Sequence, residues 1–103
     1  MKTKFPYSIF LIFTLLVVAN VVRASDVNQG RDIYQRHCAM CHGVSGSASM
    51  AGAAEFKRGQ GLMQSDHALL ERIQNGKNAC PAYRGILTKQ QTFDVIAFIR
   101  TLF

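Results

Sequence analysis

The chain has 103 residues but only three cysteines, two prolines and six acidic residues. An odd number of cysteines does not make a disulfide framework. No second ligand pair recurs at the spacing of a zinc site, and nothing in the chain alternates like a strand. The strand–helix context that a thioredoxin-like cysteine pair needs is therefore missing. No glycine pattern follows a strand to cradle a phosphate, which argues against nucleotide binding. The longest apolar stretch, Phe5 to Val22, is eighteen residues with Pro6 and Asn20 inside it. A membrane-spanning helix needs about 20 predominantly apolar residues.

That stretch reads instead as a secretory signal. Lys2 and Lys4 precede the run Ile9 to Val18, and Val22-Arg23-Ala24 offers a small residue at the cut. Cleavage after Ala24 is favoured over a retained anchor, leaving residues 25–103, which is 103 − 24 = 79 residues in one small domain. The cut also removes Lys2, Lys4 and Arg23, so twelve basic residues become nine against six acidic ones, a net charge of +3. The precursor's basic balance thus says little about nucleic acid. A domain of this size buries little by itself and commonly needs a metal, disulfides or a partner.

The segment His37-Cys38-Ala39-Met40-Cys41-His42 contains CxxCH, the attachment signature of c-type haem. Residues three apart share one side of a helical turn, so both thiols face one porphyrin edge and His42 falls beside the iron. Export suits such a site: Cys38 and Cys41 are consumed by haem and Cys80 is left over.

Four segments organise the rest into an all-α chain. Asp26 to Met40 is expected to be a helix capped by Asp26, with Ile33, Tyr34 and His37 recurring at helical spacing and Gly30 four residues before Tyr34. An interior glycine costs about 1 kcal/mol relative to alanine, which is explained if another backbone or ring comes close. Gly43 to Gly61, with five glycines, reads as a loop around the porphyrin edge, with Phe56 and Leu62 as contacts. Ser65 or Asp66 caps a short helix with Leu69, Leu70 and Ile73 inward and Glu71 and Arg72 towards water; Asn75-Gly76 ends it. Thr88 with Gln91 forms a capping box for a last helix with Phe93, Ile96, Ala97, Ile99 and Leu102 as its apolar face, and Arg100 suits its C-terminal dipole.

Together these residues resemble a class I cytochrome c: Gly30 and Tyr34, Cys38-Ala39-Met40-Cys41-His42-Gly43, Ile73-Gln74-Asn75-Gly76, Pro81-Ala82-Tyr83 and Asp94 to Arg100. The resemblance covers the whole mature chain and implies one covalently bound haem c. It also implies crossed terminal helices, with Gly30 and Tyr34 packed against Phe98, and His42 as the proximal iron ligand. The departure is Cys80. The family usually carries methionine just before Pro-Ala-Tyr as the sixth ligand, and here the leftover thiol stands in that place. Pro81 would stiffen the loop behind it. Met50, Met63, Lys77 and His67 are the competing ligand candidates, whereas Met40 and His37 are badly placed for the distal side. Without ligation Cys80 would be a free thiol beside a five-coordinate iron, or half of an intermolecular disulfide.

In size and pattern the chain also resembles the His/Cys-ligated NaxLS-type cytochromes, which are heterodimers. That likeness implies a second small cytochrome subunit, or a homodimer; Val95, Phe98 and Phe103 are the candidate apolar surface for it, although core packing is the expected fate of most of these side chains. A thiolate favours ferric iron, so the expectation is a low reduction potential and electron transfer with a redox partner protein. The alternative is a sensor or binder of NO or CO, in which Cys80 leaves the ferrous iron. No general base beside a substrate pocket is evident, so the chain is not expected to be an enzyme. Its compartment is expected to be the periplasm or an equivalent.

Overall fold

A computed structural model describes residues 23–103. The signal segment lies almost wholly outside the described residues. Four helices form, and the described residues contain no strands, only two isolated bridges. Among them no helix is long and apolar enough to cross a membrane.

Helix α1 spans Val27–His37, and the carboxylate of Asp26 accepts from the Asn28 and Gln29 N–H groups at 2.9 and 3.1 Å. Its buried stripe is Gly30, Ile33 and Tyr34, spaced for one helical face. The helix stops short of the expected Met40. Cys38 turns to φ −121°, and a separate turn, α2, runs Ala39–His42. The break arises at the residue that starts the CxxCH turn, where the Cys41 and His42 N–H groups both return to the Cys38 carbonyl. Gly43, at φ +80°, ends that turn in a conformation that favours glycine.

Helix α3 spans Asp66–Asn75, with Ser65 Oγ accepting from Ala68 N–H and Gly76 at its C-cap. Helix α4 spans Lys89–Ile99 behind the expected capping box: Thr88 Oγ1 accepts from Gln91 N–H, and Gln91 Oε1 from Thr88 N–H.

The core lies where α1 meets α4, with α3 closing one side. Ile33, Tyr34, Leu69, Leu70, Val95, Ile96, Phe98 and Ile99 are all buried. Full burial of an aliphatic or aromatic side chain stabilises by roughly 1.5–3 kcal/mol. Gly30 sits against the carbonyl of Asp94 so closely that any Cβ would overlap it, which explains the glycine. The Tyr34 and Phe98 rings pack 5.2 Å apart and tilted by 58°.

Val95 and Phe98 pack in the core, the expected fate of most of the three candidates, so neither is available to a second subunit, whereas Phe103 is exposed. Other faces differ from expectation. Phe93, Ala97 and Leu102 are only half-buried, because the helix turns Thr92, Asp94 and Val95 towards α1 and α3 instead. Arg72, expected to face water, is half-buried, and its Nη1 is buried without a hydrogen-bond partner. Arg100 acts as a clamp rather than only facing the helix dipole. It donates to Leu62 and Gln64 carbonyls at 2.7 Å and pairs with Asp66.

Candidate haem site

His42 is held by atoms that the loop brings back over it. Its Nδ1 lies 3.0 Å from the Ala54 carbonyl oxygen. A carbonyl only accepts, so Nδ1 carries the proton and Nε2 keeps its lone pair for a metal. Phe56 stacks on the imidazole with ring centroids 4.2 Å apart and planes within 15°. The loop closes through further bonds: Ser49 and Met50 N–H groups donate to the Cys41 carbonyl, and Lys57 N–H to that of Gly46. Glu55 accepts from Ala48 N–H with its carboxylate. The expected porphyrin-edge loop thus folds onto the attachment turn. Leu62 is buried in the core.

Cys38 and Cys41 are half-buried free thiols. Burial, then the nearby Cys80 and Cys41 sulfurs, push the Cys38 thiol up to about 12, so the haem-free chain keeps it protonated. Tyr34 donates to the Gly43 carbonyl at 2.7 Å, tying α1 to the end of the turn. Burial, with a smaller contribution from Cys38, raises its hydroxyl to about 12.

Cys80 closes a tight turn. Lys77 and Cys80 exchange both backbone hydrogen bonds, at 3.0 and 3.1 Å, and Asn78 takes φ +54° between them. Immediately beyond, Tyr83 and Arg84 N–H groups donate to the Ile73 and Gln74 carbonyls of α3. The Tyr83 hydroxyl donates to His37 O at 2.8 Å, which draws the turn towards the residue before Cys38. Burial raises the Tyr83 hydroxyl, with the Cys38, Cys80 and Cys41 sulfurs contributing in that order.

The competing ligand candidates are placed less favourably. Met63 is 90% exposed, between the two carbonyls that Arg100 grips. Met40 and Met50 are exposed, as are Lys77 and His67, the last lying over Phe93. His37 is exposed and meets the Tyr83 ring edge-on. Of these side chains and Cys80, only Cys80 is half-buried.

Among the described residues no three His, Cys, Asp or Glu side chains gather where they could hold a bare metal ion. The donors fit haem instead. Two neighbouring thiols are not bonded to each other, an imidazole offers Nε2, and the orphaned Nη1 of Arg72 lacks the kind of acceptor that haem carboxylates supply. The sequence pattern does not point to Phe56, Glu55, Gln74 or Arg72 as residues that shape the site. Phe56 was visible only as a haem contact, because loop closure onto His42 joins residues far apart in sequence.

Residues 25–99 match the family model described as cytochrome c oxidase, cbb3-type, subunit III. The chain belongs to the class I, mono-haem cytochromes c, carries one covalently bound haem c with its iron, and is an electron-transfer protein rather than an enzyme. Within that class it is similar to cytochrome c6 of Thermosynechococcus vestitus, 34% identical over 102 residues, covering 96% of this chain and 91% of that protein. It is also similar to cytochrome c6 of Parathermosynechococcus lividus, 36% identical over 77 residues and covering 73% and 88%. A cytochrome c6-like protein of a Nostoc strain is 33% identical over 100 residues, covering 88% and 81%.

Proposed function

We propose that this is an exported, low-potential electron carrier in which Cys38 and Cys41 hold the haem by thioether bonds, His42 is the proximal ligand and Cys80 is a distal thiolate. The observation that carries the reading is the Lys77–Cys80 turn, closed by two backbone hydrogen bonds and anchored through Tyr83 to α3 and to His37. It holds a half-buried thiol where the family's methionine would be. The haem iron supplies the one-electron couple. An anionic sulfur stabilises the ferric charge, whereas a thioether does the reverse, so Cys80 lowers the potential. Export follows from the signal sequence, cut after Ala24, and electrons pass to and from a redox partner protein. The relatives named cytochrome c6 support the carrier role. The likeness to the NaxLS-type proteins supports a second small cytochrome as partner, which co-elution of the two subunits on gel filtration tests.

Absorption, EPR and redox titration of the purified protein beside Cys80→Met test the ligand set. The wild type is expected to give a low-spin thiolate signature and a negative midpoint, and the variant a higher midpoint. A clearly positive wild-type midpoint overturns the thiolate.

A second reading, binding or sensing of NO or CO, is favoured by one contact. Cys80 Sγ has a carbonyl, Pro81 O at 3.9 Å, as its polar neighbour, and no N–H group donates to it among the described residues. On one-electron reduction by the redox partner, Cys80 would take up one proton from water and release the iron, which would open a coordination position for the gas. A ferrous spectrum unchanged by CO excludes this.

A further inference from the structure

We propose that Phe56 is the positioning residue that sets the orientation of the His42 ring, and with it the electronic environment on the proximal side of the iron. The inference rests on His42 being the proximal ligand and does not depend on Cys80.

The Ala54 carbonyl fixes which nitrogen of His42 carries the proton, but a hydrogen bond at a carbonyl oxygen accepts a broad range of approach directions. It restrains tilt out of the ring plane poorly. Phe56 supplies the missing restraint, because a parallel ring 4.2 Å away opposes that tilt. The two restraints act at right angles to one another, one in the plane of the imidazole and one along its normal.

Phe56, half-buried, is itself held by the backbone bonds of its turn and by a neighbouring ring. Its carbonyl accepts from Gly59 N–H at 2.8 Å. Glu55 N–H donates to Gln60 Oε1 at 2.8 Å, while the Glu55 carbonyl accepts from the Arg58 and Gln60 N–H groups. Behind it stands Tyr34, fully buried, with ring centroids 6.4 Å apart. The same Tyr34 packs on Phe98 and bonds the Gly43 carbonyl. The contact between the terminal helices is thereby transmitted through Tyr34 and Phe56 to the ring of His42. A half-buried leucine would fill comparable space, but it has no flat face with which to hold the plane.

The experiment compares wild type with Phe56→Ala, Phe56→Leu and Phe56→Tyr, each purified with haem attached. Ferric NMR with 15N-histidine first identifies a paramagnetically shifted His42 resonance. Phe56→Tyr is expected to keep the wild-type EPR g values and haem-methyl shift pattern. Phe56→Leu and Phe56→Ala are expected to change both, and Phe56→Ala to lower the midpoint as water reaches the ring. The drop is expected to approach a tenfold change in the one-electron equilibrium, which corresponds to about 59 mV. Thermal melts separate this effect from loss of packing: Phe56→Leu is expected to melt close to wild type while its spectra still change. A shifted His42 resonance with unchanged spectra in Phe56→Ala overturns this inference alone. Absence of that resonance in the wild type overturns the ligand assignment and this inference with it.

Discussion

Gly76 shows how one backbone position governs the placement of a side chain several residues away, the thiol proposed as the distal ligand. It ends α3 at φ +68°, and a Cβ there would lie 2.7 Å from backbone atoms of Cys80, Pro81 and Ala82. Neither the conformation nor the space admits a side chain. Gly76→Ala is therefore expected to displace the Cys80 turn, and the ferric spectrum to lose its low-spin thiolate character while the Cys38 and Cys41 attachments survive. Pyridine haemochrome and absorption spectra of the variant check both parts. His42 makes the complementary case. Its candidacy as the proximal ligand is legible in CxxCH, but the Ala54 carbonyl and the Phe56 ring beside it are not, because loop closure rather than spacing brings them there.

At the scale of elements, the two terminal helices and α3 are joined by a few contacts that each carry much of the packing. Gly30→Ala would force α1 off the Asp94 carbonyl and is expected to destabilise by about 3 kcal/mol, measured by denaturant unfolding. Asp94 also accepts from Asp26 N–H and from Gln90 Nε2, so the residue that caps α1 is tied to the same point. Gln74 joins α3 to α4, donating to Thr92 Oγ1 at 2.7 Å and to the Leu87 carbonyl. Arg100→Ala frees the segment Leu62 to Asp66 and is expected to cost about 2 kcal/mol through its two carbonyl bonds and its partly exposed ion pair. Arg100→Lys is expected to recover little, since an ammonium cannot span three acceptors as a planar guanidinium does. The caps and the ends of α3 and α4 could be read from Ser65, Gly76, Thr88 and Gln91. The polar contacts of Gln74, Thr92, Asp94 and Arg100 could not, because they join helices that are neighbours only after folding.

For the molecule as a whole, pH reports on burial. Tyr34 titrates at about 12 in the folded chain against 10.0 ordinarily, chiefly because burial disfavours the phenolate. The unfolded chain therefore loses that proton first. The stability that Tyr34 contributes is complete below pH 10 and is lost as pH rises through about 12. Tyr83, also raised, acts in the same direction. Unfolding midpoints in urea are expected to fall over this range, and Tyr34→Phe to flatten the fall while lowering stability at neutral pH by roughly 1 kcal/mol through the lost Gly43 bond. A Cys38→Ala/Cys41→Ala chain, unable to attach haem, is expected to unfold at much lower temperature and with less cooperativity. A domain this small has little core besides its cofactor, and near-UV circular dichroism through the melt tests this.

The sequence by itself determined the cofactor chemistry, the helical segments and the placement of a thiol before Pro-Ala-Tyr, because these depend on spacing, caps and turns within a few residues. Tertiary structure decided which faces are core and which neighbour Gly30 meets, the Asp94 carbonyl. It also decided how the ring of His42 is held and that Cys80, alone among the candidates, is partly sheltered. These depend on chain segments tens of residues apart coming within a few ångströms, and a local pattern carries no record of that distance.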